Sequence, residues 1–555
     1  MSYLIRFALS FPVIGSALLP LNAQPADVVV INANVLTSDP MQPKADAFAI
    51  RDGKFMAVGK NVTALKLRGK KTILKNMNGA TIVPGFIDAH CHPFPMYEEL
   101  SLWGRIDLGP PRIKTMDALV AILKRKAGKT PKGLWIKGFN YHETVLGRHP
   151  TRQDLDKVSM IHPVMINHSS GHLRVCNTYA LKMAKVNRNT RNPPGGEFHR
   201  DDKGELTGLL KESAASGIIV KAGPKMPIAP RADKIKAYQT CFEKFFAQGI
   251  TAVHVAGTSP RTADILAAAS DDDHPMHMYI MLREDYIDEA LERSKMGRTH
   301  KRISFGGIKF FHGNSLSGQT CWLYKAYAHR PKYFGIPPAR SQDRLNKLVL
   351  KIHKAGLQAC IHSNGDREID MVLDAYENAL RIHPRKDHRH RIEHCSVVNE
   401  KILQRIKKLN LVIAPHSYVY EHGDKMEAYG EYRWNLMHAN RSMLDLKIPV
   451  AGNSDFPVSA ADPMLRIQSM LTRQCFNNKK VYGEKQRITL EQAMGVWTRG
   501  GAYAEFQEDI RGSITVGKQA DYVVLSNDPT KVDAQDIGII DVEQTVIAGS
   551  VVYKK

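Results

Sequence analysis

From about residue 84 onward, short apolar runs alternate with longer stretches whose apolar positions recur every three or four residues. The runs GFIDAHCH (85–92), ITAVHVAG (250–257), MHMYIML (276–282), FGGIKFF (305–311), LQACIHSNG (357–365), HRIEHCS (390–396), LVIAPHS (411–417) and PVAGNSD (449–455) have the length and bounding residues of buried strands. Between them, PRADKIKAYQTCFEKFFAQG, ARSQDRLNKLVLKIHKAG and EIDMVLDAYENALRIH carry helical periodicity, the first two ending on Gly249 and Gly356 as helix stops. Eight strands, each followed by a helix, predict an α/β fold of the TIM (β/α)8 type, with its functional end where the strands terminate. An open doubly wound sheet fits the same alternation, but no GxGxxG follows an early strand.

The ends of the chain follow another rhythm. ADVVVINANVLTSD, AFAIRDGKFMAVGK and ATIVPGFIDAH near the start, and RGSITVGKQADYVVLSNDP and IIDVEQTVIAGSVVYKK at the end, read as short strands, with Asp52-Gly53 a hairpin turn. Each set needs a partner to bury one face, and pairing them into one composite β-sandwich is the simplest solution. Some 150 residues, roughly 97–230, separate the first two barrel strands, which is too long for a loop and implies an inserted subdomain. The expected division is a leader over 1–23, β-sandwich over 24–83 and 501–555, and a barrel over 84–500.

Composition narrows the possibilities. At 555 residues, 43% hydrophobic and 24% charged, the chain can bury a large core. A net charge of +23 raises the question of nucleic acid, but the basic residues are spread along the chain with no arm or dense tract, so a solvated basic surface is expected and no nucleic-acid partner. Seven cysteines without a CxxC pair argue against a zinc ribbon or a disulfide framework. Arg6, the apolar stretch from Phe7 to Leu21 and Ala23 read as a secretory signal peptide, giving a periplasmic or secreted product. No later segment is long and apolar enough to span a bilayer.

Chemistry concentrates at the ends of the predicted strands. His90 and His92 are two apart and share a face of the first strand. Other strands end in Lys309, His362, His394 and Asp455, and a shared metal centre explains all six, where separate buried hydrogen bonds would need six independent partners. Tyr141, His142 and Glu143 could reach the mouth, but helix capping or a surface position is the stronger expectation, and His383 to His390 are expected to lie in a solvated basic loop.

The segments VPGFIDAHCHPF, HSSGH, GGIKFF, IHSNGD, RIEH, GNSDFPV and GSITVGKQADYVVLSNDP together resemble the amidohydrolase superfamily, in the amidohydrolase-3 branch that includes YtcJ-like and N-substituted formamide deformylase-like proteins. The resemblance implies one or two divalent ions, zinc by default, held by His90, His92, His362, His394 and Asp455. Lys309 matches a position that relatives with two metals can carry as a carbamate, and His172 of HSSGH is a candidate substrate contact. The chain departs from the family pattern at His312-Gly313. The expected chemistry is hydrolysis of a non-peptide C–N bond of a small molecule by metal-activated hydroxide, with Asp455 as catalytic proton carrier. Deamination, cyclic-amide opening and a silent binding protein on the same fold are the alternatives, and homo-oligomerisation is left open.

Overall fold

A computed structural model of the protein describes residues 24–295, 302–416 and 419–555; the leader lies outside them. Its centre is a ring of seven parallel strands: β1 (Phe86–Cys91), β2 (Ile250–Thr258), β3 (His277–Arg283), β4 (Ile303–Phe311), β5 (Gln358–Ser363), β6 (Arg391–His394) and β7 (Val412–Ala414). Nearly every position of β1, β2, β5 and β6 is buried, which is why these strands read as unbroken apolar runs.

The eighth run, PVAGNSD, is not a regular strand. Residues 449–455 close the ring by a few bonds to each neighbour: Ile413 donates to the Pro449 carbonyl and accepts from Ala451, both at 2.9 Å, and Ala89 donates to the Gly452 carbonyl at 2.9 Å. Asp455 N–H bonds the His90 carbonyl at 2.9 Å with φ at 52°, a left-handed backbone that takes the segment out of the ladder. Helices Arg231–Phe246, Gln342–Lys354 and Asp366–Ile382 sit where the periodicity predicts them. Gly249 adopts a φ of 74°, which only glycine takes without strain, at the turn into β2.

Between β1 and β2 stands a six-stranded sheet, ordered Glu197–Arg200, Leu206–Lys211, Leu173–Cys176, Val164–His168, Ile136–Tyr141, Ile106–Asp107. One of its faces buries Ile106, Ile136, Val164, Ile166 and Val175 in a core of its own. Two further sheets bring the chain ends together. Tyr522–Leu525 pairs antiparallel with Thr81–Pro84, which itself pairs parallel with Asn34–Leu36. A four-stranded sheet of Val28–Ile31, Ala47–Arg51, Lys54–Gly59 and Ile73–Asn76 packs on this one, with Phe48 edge-on to Tyr522 at 5.2 Å between ring centres. Asp52 and Gly53, at φ 50° and 71°, make the hairpin turn between Arg51 and Lys54.

In the stretch 383–390, His383, Pro384, Lys386 and Asp387 are exposed as expected, but the end of it departs from the solvated expectation. His388 and His390 are buried, His390 stacks on Tyr376 at 5.1 Å and lies 2.8 Å from Nδ1 of His353. His390 is drawn inward because aromatic and imidazole partners wait there. Among the described residues, no helix is long and apolar enough to cross a membrane.

Candidate metal centre and active site

The sequence-derived residues meet at the C-terminal mouth of the ring. His90 ends β1 fully buried, and His92 follows just beyond the strand, half exposed. Nε2 of His92 is 3.3 Å and Nε2 of His90 3.7 Å from Oδ1 of Asp455, and one donor atom from each of the three lies within 4.8 Å of the others. Nε2 of His394 is 4.0 Å from Oδ2 of the same carboxylate. Lys309, on β4, brings Nζ to 3.3 Å from Nε2 of His90 and over the Phe311 ring at 4.5 Å. His362 contacts the group through its ring, 4.7 Å from that of His394, and its Nε2 lies 3.1 Å from both the Asn314 carbonyl and Nδ2 of Asn364.

Burial drives His90, His362 and His394 well below the usual imidazole range, so all three are neutral at physiological pH, the form that ligates metal. Burial would raise Asp455, but the His92 hydrogen bond and the surrounding imidazoles outweigh it and hold the carboxyl down to about 2. Burial lowers Lys309 against the opposing charges of Glu393 and Asp455. Two imidazoles and an ionised carboxylate within reach of one point are a donor set that suits a divalent cation of the zinc type.

Beneath the donors lies a layer that motif reading missed. Nδ1 of His90 donates to Oε2 of Glu393, which leaves the Nε2 lone pair turned to Asp455 and Lys309. Glu393 is gripped in turn by the Arg391 guanidinium at 2.8 and 2.9 Å, and Arg391 also bonds the Ala89 carbonyl at 2.6 Å. The signal was present: Arg391 and Glu393, two apart in a strand buried on both faces, must pair with each other. Consecutive strand residues point to opposite faces, yet Glu393 and His394 both reach His90. The left-handed backbone at His394, φ 69°, makes this possible. Such a conformation at His394 and Asp455 costs about 1–3 kcal/mol each and is typical of sites where geometry is imposed by function.

The inserted subdomain supplies the roof. Nδ1 of His172 is 2.6 Å from Oε2 of Glu212, and its ring centre is 5.0 Å from that of His362. Burial would lower His172, but Glu212 prevails and raises it. His168 bonds Glu143 at 2.5 Å, and Glu143 also holds Lys425 from the barrel side. Glu143 is therefore not a surface or capping residue: burial opposes its charge, but His168 and Lys425 hold it far below the ordinary carboxylate range. A cavity of about 820 Å³ opens over the donors, large enough for a small-molecule substrate and lined by His92, Lys309, Asp455 and His172 together with residues of the inserted sheet.

A parallel barrel whose strand ends gather buried neutral imidazoles and one ionised carboxylate under such a cavity defines a barrel with a candidate metal centre at its mouth. The chain belongs to the amidohydrolase family, whose model matches residues 75–553. It is 27% identical over 527 residues to the protein YtcJ of Bacillus subtilis (strain 168), covering 92% of this chain and 96% of that one. It is 26% identical over 553 residues to the N-substituted formamide deformylase of Arthrobacter pascens, covering 96% and 99%. Among solved structures, an uncharacterized metal-dependent hydrolase from Pyrococcus horikoshii OT3 shares the fold with a TM-score of 0.70 at 23% identity, covering 91% of this chain and 99% of that one.

Proposed function

We propose that the protein is an exported, metal-dependent hydrolase of a non-peptide C–N bond in a small amide or N-acyl compound. The observation that carries the reading is the convergence of His90, His92 and Asp455 donor atoms beneath the cavity. His90, His92 and Asp455 would hold the first ion, with His362, His394 and Lys309 beside them for a second. A bound divalent ion supplies Lewis acidity and lowers the pKa of water from about 15.7 towards ~7.

The chain's own groups do the rest. Asp455, ionised at neutral pH, orients the attacking water and accepts its proton. As the C–N bond breaks, the same carboxyl returns that proton to the departing nitrogen. His172, held through Nδ1 by Glu212, offers its other nitrogen to the substrate carbonyl oxygen, where negative charge develops. Lys309 is a buried amine whose pKa burial lowers against the opposing charges of Glu393 and Asp455, which favours loss of its proton and carbamylation.

The test is an activity screen of the metal-loaded protein over N-formyl, N-acyl-amino-acid and cyclic amide compounds, with product analysis and Asp455→Asn as control. A carboxylate plus an amine supports the reading, whereas ammonia release assigns deamination. Zinc as the metal and a carbamate predict two zinc equivalents in the protein purified with bicarbonate, and N-terminal sequencing of the exported product tests leader removal.

A further inference from the structure

The inserted sheet has two unlike faces. Ile106, Ile136, Val164, Ile166 and Val175 fill a core on one side. By strand alternation the other side carries Arg105, Asp107, Lys137, Phe139, Asn167 and Arg174; Asp107 is taken up by Gly109 N–H and Asn140, and Arg105, Phe139, Asn167 and Arg174 line the cavity over the metal centre. Part of this face packs Met165, Cys176 and Leu210 into a second core, while its charged positions turn to the substrate cavity.

The two guanidiniums are placed without counter-charge. Arg105 lies over the rings of Phe139 at 5.1 Å and Phe94 at 5.8 Å, and Arg174 donates to Oγ of Ser216 at 2.9 Å. Among the described residues no carboxylate forms an ion pair with either, and each feels chiefly its own desolvation, Arg105 also the charge of Arg174. Burial pushes Arg105 down to about 10, which still leaves it charged at neutral pH. Elsewhere on the wall, Arg340 is satisfied by Glu284 at 2.8 Å. The cavity's two carboxylates are both engaged, Glu212 by His172 and Thr320, and Asp455 by the imidazoles. Two like charges that feel one another in a partly desolvated wall, neither paired with a carboxylate among the described residues, form a receptor for an anion, and the planar fork of arginine matches a carboxylate.

We propose that Arg105 and Arg174 bind a carboxylate of the substrate, so that the compound hydrolysed is an N-acyl amino acid or a similar small amide bearing an acid group. The inference rests on the hydrolytic reading above and adds its substrate class.

Binding is measured calorimetrically on the full-length, metal-loaded Asp455→Asn protein, with a panel of N-acetyl amino acids of apolar, acidic and basic side chain and the matching neutral carboxamides. At least one acid is expected to bind roughly 10–100-fold more tightly than its carboxamide, the worth of a charge-assisted bond pair. Arg105→Gln and Arg174→Gln should each bring that ratio towards one. Arg105→Lys and Arg174→Lys, which keep the charge and lose the fork, should retain part of it, and they carry the test if a glutamine variant does not fold. Equal binding of acid and carboxamide, no binding across the panel, or a ratio that survives every substitution overturns the proposal. Wild-type protein that hydrolyses neutral amides without preference removes the subsite and keeps the hydrolase. Protein that binds the acids through both arginines but never cleaves them removes the reaction and keeps the subsite.

Discussion

Glu393 offers the sharpest test of how the centre is held. Replacing it with alanine removes two bonds from Arg391, at 2.8 and 2.9 Å, and the acceptor for Nδ1 of His90, all in a region with no solvent exposure. Among the described residues, Arg391 would keep only the Ala89 carbonyl and Nδ1 of His254 as neutral partners. Breaking one side of a fully buried pair strands the other charge, so Glu393→Ala is expected to cost about 3–5 kcal/mol. Freeing His90 should weaken metal binding about 10–100-fold, or roughly 1.4–2.8 kcal/mol. Denaturant midpoints report the first quantity and competition with a chelator the second. The double replacement Arg391→Met with Glu393→Leu should recover most of the stability and none of the metal affinity, because it restores packing but not the acceptor. A loss below about 1 kcal/mol in the single variant, or unchanged metal affinity, would refute the reasoning.

Four further outcomes are expected. Asp455→Asn should lower kcat by about 10²–10⁴-fold while the protein stays folded, checked by steady-state kinetics beside a melting curve. Glu212→Gln should lower the pKa of His172, so the limb of the pH–rate profile that reports this group moves to lower pH. Because the folded-state value is raised from 6.5, the stabilisation this pair gives is full below that pH and fades as pH rises through the folded value. Asp154, gripped by Arg148 at 2.6 and 3.0 Å and by Thr151, is held down to about 2 against the opposing effect of burial. Asp154→Asn should therefore cost about 1 kcal/mol near pH 7, since Arg148 is half exposed and screened, and the gap from wild type should close as pH falls from about 4 towards 2. All seven cysteines are buried and unpaired, so a thiol reagent should modify none in the native protein and seven in denaturant; prompt native labelling would contradict the packing.

Much of the barrel was legible because its strands are buried on both faces and its helices are amphipathic, two patterns that differ in period. Residues 449–455 looked like one more strand, since apolar content does not reveal that Asp455 takes a left-handed backbone and leaves the ladder. Candidate ligands were visible as polar residues at apolar strand ends. What lay behind them was harder to see. Glu393 was passed over beside the more obvious His394, and the Glu143–His168–Lys425 cluster joins three positions whose separation in sequence gives no hint of contact. The buried His388 and His390 looked solvated because local composition says nothing of Tyr376 waiting on a neighbouring helix.

The pairing of Tyr522–Leu525 with Thr81–Pro84 carries a consequence for how the molecule is made. Synthesis proceeds from the amino end, so the edge of Thr81–Pro84 emerges from the ribosome more than four hundred residues before its partner. Through that interval the nascent polypeptide must keep an apolar edge open without sealing it against a neighbour. Final registration awaits translation of the tail, and a ribosome that stops short of it leaves a product whose beginning, as well as its end, is unfinished.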